Sequence, residues 1–281
     1  MLKAAEELEL RKAALQIRRN ILRLIKAGKA GHVGGALSMA EVLTALYFRV
    51  MRIDPARPDW PERDRLVVSA GHKALVLYAA LAARGYFEEK LLDTYGSLGC
   101  RLPGHPDMHK LPGVEASTGA LGHGLSIAGG MALGLRLSGL PSRVFVVMGD
   151  GELAEGSNWE AAAAAGHHKL ENLVVIVDRN GLQISGPTVE VMTYEPLEER
   201  WRAFGWATRR MDGHDFGAVL KPLGEAPFER GKPSAIVADT VKSKGLPFAE
   251  GKVEYHYWKP PAEELAQAER DLAAIERTLV G

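Results

Sequence analysis

The sequence predicts an α/β protein: one doubly wound, mostly parallel sheet with helices on both faces. Two observations carry that expectation. Four apolar runs of strand length lack polar alternation, namely Arg143-Val-Phe-Val-Val-Met148, Asn172 to Asp178, Trp206 to Met211 and Ser234 to Thr240. Helical patterns separate them, and strands buried on both faces and joined through helices pair in parallel. The 281 residues suit a single large domain spanning residues 1–281, with a substantial core.

Taken in order, Ala14, Ile17, Ile21, Leu24 and Ile25 recur at helical spacing and predict a helix from about residue 5 to 27, ended by Gly28. A loop over Gly31 to Gly35 follows. Ser38 and Glu41 have capping-box spacing before a second helix through Val42, Leu43, Leu46 and Tyr47. Leu66 to Ser69 reads as a short strand, and a helix runs from about His72 to Arg84. Residues 96–113 hold four glycines and three prolines, and an irregular stretch of that length is functional or disordered. Ser157 and Glu160 form a second capping-box pattern ahead of five alanines. Further helices are expected over Pro196 to Phe204, from about Phe216 to Leu223, and over Ala262 to Leu279 after the Lys259-Pro-Pro261 break.

Charge and cysteine content exclude several classes of function. Lys plus Arg and Asp plus Glu both number 35, so no net field attracts nucleic acid or anionic lipid. The single cysteine, Cys100, can form neither an internal disulfide nor a four-cysteine zinc site. No signal-peptide core or membrane-length apolar run is present, and a soluble, cytoplasmic protein is the expectation. Glycine, at 31 residues, stands at about 11% against a usual ~7%, which points to many close backbone approaches.

The residues able to carry chemistry cluster at element edges. Six of the nine histidines follow a glycine directly: His32, His72, His105, His123, His167 and His214. Gly-His at an edge lets backbone approach a ligand while an imidazole faces it. Singly, each reads as a turn or cap histidine; together they point to a shared pocket. Gly149-Asp150-Gly151 ends the strongest strand, and Asp178-Arg-Asn180-Gly181 ends the next. If those strands are neighbours, Asp150 and Asn180 emerge at the same sheet edge, where ligands of such sheets bind. A carboxylate, an amide oxygen, a backbone carbonyl and a diphosphate suit a hard divalent cation such as Mg2+, with Ca2+ or Mn2+ as substitutes. Two Asp/Asn turns closing strands would be the plainer explanation.

This arrangement resembles the thiamine diphosphate signature of a GDG and a downstream Asn. Ala30-Gly-His-Val-Gly-Gly35, Ser69-Ala-Gly-His-Lys73, Leu102-Pro-Gly-His-Pro106, Ser117-Thr-Gly-Ala-Leu-Gly-His-Gly124 and Gly149-Asp-Gly-Glu-Leu-Ala-Glu-Gly156 occur in the order seen in transketolases. The resemblance covers nearly the whole chain, yet only the N-terminal portion of a full-length transketolase, and is similar to the N-terminal subunit of a split enzyme. It implies thiamine diphosphate and Mg2+ as cofactors, and two-carbon ketol transfer from a ketose phosphate to an aldose phosphate, as in pentose phosphate exchange. Asp150, Asn180 and the Leu182 carbonyl match the metal ligands. His72, Gly119, Ala120, Leu121 and Gly151 match residues lining the cofactor, while Glu155 matches a buried carboxylate near the subunit interface. His32 and His105 match histidines near the reacting carbons of the ketose. His256 falls where the family usually carries two histidines and matches a cofactor or substrate histidine.

On this resemblance the pyrimidine-binding and C-terminal domains, with the glutamate that activates the cofactor, are expected to lie outside this chain. A separate C-terminal transketolase subunit is therefore the expected partner, in a heterotetramer of two of each chain. The glycines between 122 and 139 would serve either that interface or internal helix packing. Other readings stay open: a deoxyxylulose-phosphate synthase-like enzyme, a 2-oxo acid dehydrogenase alpha subunit, or a noncatalytic cofactor-binding or regulatory module. Zinc on Cys100, His105 and His109 lacks a fourth ligand. Gly122-His-Gly124 lacks the third glycine and the preceding strand of a dinucleotide fingerprint.

Overall fold

The computed structural model describes residues 2–280. Helix α1 (Ala4–Gly28) buries Ile17, Ile21, Leu24 and Ile25 and stops where Lys29 takes the left-handed conformation. Short helices α2 (Gly34–Leu37) and α3 (Ala40–Ala45) lead to strand β1 (Arg65–Val68). A single tight turn, Gly71–Lys73, opens helix α4 (Ala74–Arg84), and α5 (Gly124–Leu137) begins beyond the long irregular segment. Next come β2 (Val144–Gly149), α6 (Gly156–His167) and β3 (Leu173–Arg179). A small antiparallel hairpin, β4 (Leu182–Gln183) and β5 (Gly186–Pro187), precedes α7 (Thr188–Val191) and α8 (Leu197–Ala203). The chain then forms β6 (Ala207–Asp212), α9 (Phe216–Glu225), β7 (Ser234–Asp239) and α10 (Ala262–Val280).

Five strands form one sheet in the order β1-β2-β3-β7-β6, every neighbouring pair parallel. Alternate residues of each central strand feed two cores. Phe145, Val147, Val174 and Ile176 pack with α1, α3, α4 and α9 on one face, while Val146, Met148, Val175 and Val177 meet α5, α6 and α8 on the other. This is why the central strands read as unbroken apolar runs, whereas edge strand β6 exposes Arg209 and Arg210. Among the described residues no helix is long and apolar enough to cross a membrane.

Neither expected capping box forms. Ser38 directs its hydroxyl to the Gly35 carbonyl and the Asp178 carboxylate, and Glu41 turns to Arg18 and His214 instead of the helix start. Ser157 lies within the first turn of α6 and donates to the Gly122 carbonyl. In both places a tertiary partner has taken the hydroxyl that the local pattern assigned to a helix end. The glycines of α5 differ in their surroundings. A side chain on Gly124 would collide with Ser69, while Gly129, Gly130 and Gly134 face open space.

Candidate active site

The carboxyl ends of four adjacent strands meet around one cavity of about 410 Å³. The turn after β1 supplies His72 and Lys73, β2 supplies Gly149, Asp150 and Gly151, β3 supplies Asn180, and the segment after β7 supplies Lys242. Strand register makes this convergence possible. Gly149 pairs with Asp178, and Asp150 N–H donates to the Asp178 carbonyl at 3.1 Å, so the Asp150 and Asn180 loops leave the sheet side by side. The Asp150 carboxylate then accepts from Gly181 N–H at 2.7 Å and Gly151 N–H at 2.9 Å.

Beneath the cavity floor Asp178 acts as a hub. Its fully buried carboxylate pairs with the Lys73 ammonium and accepts from Ser38 Oγ, Thr240 Oγ1 and Asn180 Nδ2. Burial opposes its ionisation, yet Lys73 and the hydroxyl donors hold its pKa below the usual carboxylate range. Since Asn180 Nδ2 is committed to Asp178, the amide oxygen turns the other way and accepts from Leu182 N–H at 3.1 Å. Glu152 does comparable work at the other end, accepting from Ser69 Oγ, Gly122 N–H and Gly149 N–H. Gly71 is required here, because a Cβ would lie 2.6 Å from the Thr118 carbonyl.

Burial and the neighbouring Asp178 charge push Asp150 up to about 6. A pocket that strains to keep a carboxylate charged favours a cation. The Asp150 carboxylate, the Asn180 amide oxygen and the Leu182 carbonyl are hard oxygen donors, and the buried Gln183 Oε1 on the same wall has no hydrogen-bond partner. This set fits a hard divalent ion completed by ligand oxygens. Among the described residues no group of three or more His, Cys, Asp or Glu is placed to hold a metal.

The other wall is imidazole. His32 lies 5.4 Å from His72, 6.0 Å from His105 and 5.5 Å from His256 between ring centroids, and His72 stacks on His256 at 5.4 Å. A two-way backbone bridge between Gly31 and Trp258 brings the first of these segments against the last. Tyr78 pins the His105 loop by donating to the Pro103 and His105 carbonyls. Burial lowers His32 and His256 to about 4, with His105 and Lys242 respectively adding to the effect. Burial and then Lys73 lower His72 to about 2. These three rings are thus neutral at pH 7, each with one nitrogen that donates a hydrogen bond and one that accepts.

Of the residues singled out in the sequence, His32, His72, His105, Gly119, Leu121, Asp150, Gly151, Glu155, Asn180, Leu182 and His256 all line this cavity. Ala120 does not. The turn through Gly122, at φ 84°, puts Gly119 and Leu121 on the wall and leaves Ala120 exposed. Glu155, matched to a buried carboxylate near the subunit interface, lies on the surface of this single chain at the N-terminus of α6. His123 is an exposed residue at the start of α5 whose Nδ1 faces the Leu121 carbonyl. Sequence reasoning missed Lys73, Glu152, Gln183 and Lys242. Lys73 and Glu152 sit inside quoted motifs, and Lys242 stands just past the last parallel strand, a position where such sheets place ligand residues.

Residues 10–276 match the family described as "Transketolase, thiamine diphosphate binding domain". The chain belongs to that family. It is 47% identical over 254 residues to the 6-deoxy-6-sulfo-D-fructose transketolase subunit SqwG of Clostridium sp. (strain MSTE9), covering 90% of this chain and 92% of the relative. It is 45% identical over 265 residues to an apulose-4-phosphate transketolase subunit of Actinobacillus succinogenes, covering 94% of this chain and 96% of the relative. The transketolase structure from Leishmania mexicana superposes with a TM-score of 0.87 at 32% identity, covering 96% of this chain but 44% of that one. The transketolase fold is shared, and the chain spans less than half of that full-length enzyme.

Proposed function

We propose that this chain is the cofactor-holding subunit of a two-chain transketolase, working with thiamine diphosphate and Mg2+ and completed by a separate subunit that carries the pyrimidine-binding domain. The observation that carries this reading is the meeting of Asp150, Asn180, the Leu182 carbonyl and four histidines at the carboxyl edge of β1, β2, β3 and β7. Two relatives matched over nine-tenths or more of their length are themselves named as subunits, which supports a partner chain. The face of α5 and α6 with open Gly129, Gly130 and Gly134 and exposed Ala163 and Ala164 suits close helix packing against that partner, in a heterotetramer of two of each.

When bound, thiamine diphosphate supplies the nucleophilic carbon that carries the two-carbon unit between sugars. Asp150, Asn180 and the Leu182 carbonyl would hold the cation against the diphosphate, with the Lys242 ammonium and His72 beside them. Gly119, Leu121 and Gly151 line the same cavity and would meet the cofactor there. His32 and His105, neighbours across the cavity, would hydrogen-bond the ketose hydroxyls next to the bond that breaks. His256 would add a hydrogen bond to substrate or cofactor.

The relatives' names widen the donor class beyond pentose phosphates to ketoses whose distal end carries a sulfonate or phosphate. Two-carbon transfer to an aldose phosphate tests the function, using the chain with a candidate partner and xylulose 5-phosphate, apulose 4-phosphate and 6-deoxy-6-sulfofructose as alternative donors. Transfer from at least one donor, abolished in Asp150→Ala, is expected. Binding of thiamine diphosphate with no transfer from any donor by an assembled complex would contradict the catalytic reading and favour a cofactor-binding module.

A further inference from the structure

We propose that Arg18, Glu41 and His214 form a buried clamp that positions Lys242 in the cofactor cavity. The segment 240–245 leaves β7 without entering regular structure; Ser243 N–H donates to the Gly34 carbonyl at 2.9 Å and the Lys242 carbonyl accepts from Gly251 N–H at 3.0 Å, and two side chains of the clamp grip the backbone on either side of these bonds. Val241 N–H donates to His214 Nε2 at 2.8 Å, and the Lys244 carbonyl accepts from Arg18 Nε at 3.1 Å. Glu41 joins the two grips, with one carboxylate oxygen 2.7 Å from the Arg18 guanidinium and the other accepting from Arg18 at 2.9 Å and His214 Nδ1 at 3.0 Å. Because Val241 must donate to Nε2, the neutral ring carries its proton on Nδ1, facing Glu41.

Between the grips lie Lys242 and Ser243. Ser243 holds a left-handed φ of 64°, a conformation that persists only where the surroundings impose it. Lys242 is buried, its ammonium 3.1 Å from the Leu182 carbonyl and 3.1 Å from His256 Nδ1. None of the three clamp residues lines the cavity, so each acts through the backbone of this segment. Taking a bidentate ion pair out of water is costly, and here it is tied to a loop that delivers a cation to the site.

The effect on cofactor rests on the proposed function; the grip on the segment does not. The test combines amide hydrogen exchange of the full chain with thiamine diphosphate affinity in Mg2+, for His214→Ala, His214→Gln, Lys242→Met and the double variant H214A/K242M. For His214→Ala we expect exchange across 240–245 to rise roughly 10-fold and affinity to fall roughly 10-fold. His214→Gln, whose amide oxygen can still accept from Val241, should recover part of both. The double variant should bind no more weakly than Lys242→Met, because both changes remove one contribution. Unaltered exchange, faster exchange with unchanged affinity, or additive losses would each overturn the proposal. If the unmodified chain assembled with its partner subunit binds no thiamine diphosphate, the proposed function falls, and exchange alone decides whether the clamp holds this segment.

Discussion

Asp150 illustrates how one side chain joins the fold to its chemistry. Two backbone N–H groups from adjacent loops grip it, and burial beside Asp178 lifts it to about 6. A cation needs the ionised form, so Mg2+-dependent cofactor affinity should weaken as pH falls below about 6. Calorimetric titration across that pH checks this, and Asp150→Ala should erase both the affinity and its pH dependence. His32 and His105 have a different signature. Replacing either with alanine should lower kcat/KM roughly 100-fold or more while leaving cofactor affinity near that of the unmodified chain. Steady-state kinetics beside binding titrations separate the two effects.

At the scale of elements, the Lys73–Asp178 pair ties the start of α4 to the end of β3. Lys73→Met would strand a fully buried carboxylate and should cost about 3–5 kcal/mol, read by denaturant unfolding. The element order was legible in the sequence because central strands buried on both faces are unbroken apolar runs, and their boundaries fall within a residue or two of the expected ones. The site was legible through Gly-Asp-Gly and Asn180, since parallel register makes equivalent strand ends neighbours. The capping boxes failed because Ser38, Glu41 and Ser157 answer to partners distant in sequence, which no local window contains. Lys242 escaped notice for the same reason: only the β3-β7 pairing shows that its segment returns to the Leu182 loop.

Across the whole molecule, several buried ionisable groups set an acid limit on stability. His32, His72 and His256 have folded pKa values below the ordinary 6.5, so the unfolded chain binds more protons there, and their contribution is present above about pH 6.5 and lost as pH falls. Asp150, raised in the folded chain, acts oppositely, its contribution being lost as pH rises from 3.8 through 6. Glu115 and Glu152, which burial also raises, act with Asp150, while the three histidines titrate across the wider range, and the melting temperature of the cofactor-free chain should fall between pH 6.5 and 4. Differential scanning calorimetry over that range checks the sign. The same molecule presents the cavity at the carboxyl edge of the sheet and an open glycine and alanine face along α5 and α6, the two surfaces that the proposed two-chain site would use.

The central claim, that a second chain completes this site, is tested most directly by titrating a candidate pyrimidine-domain partner into a fixed amount of this chain with saturating thiamine diphosphate and Mg2+, following two-carbon transfer. Activity should be absent from either chain alone and rise to a plateau at one partner per chain; full transfer by this chain alone would contradict the account.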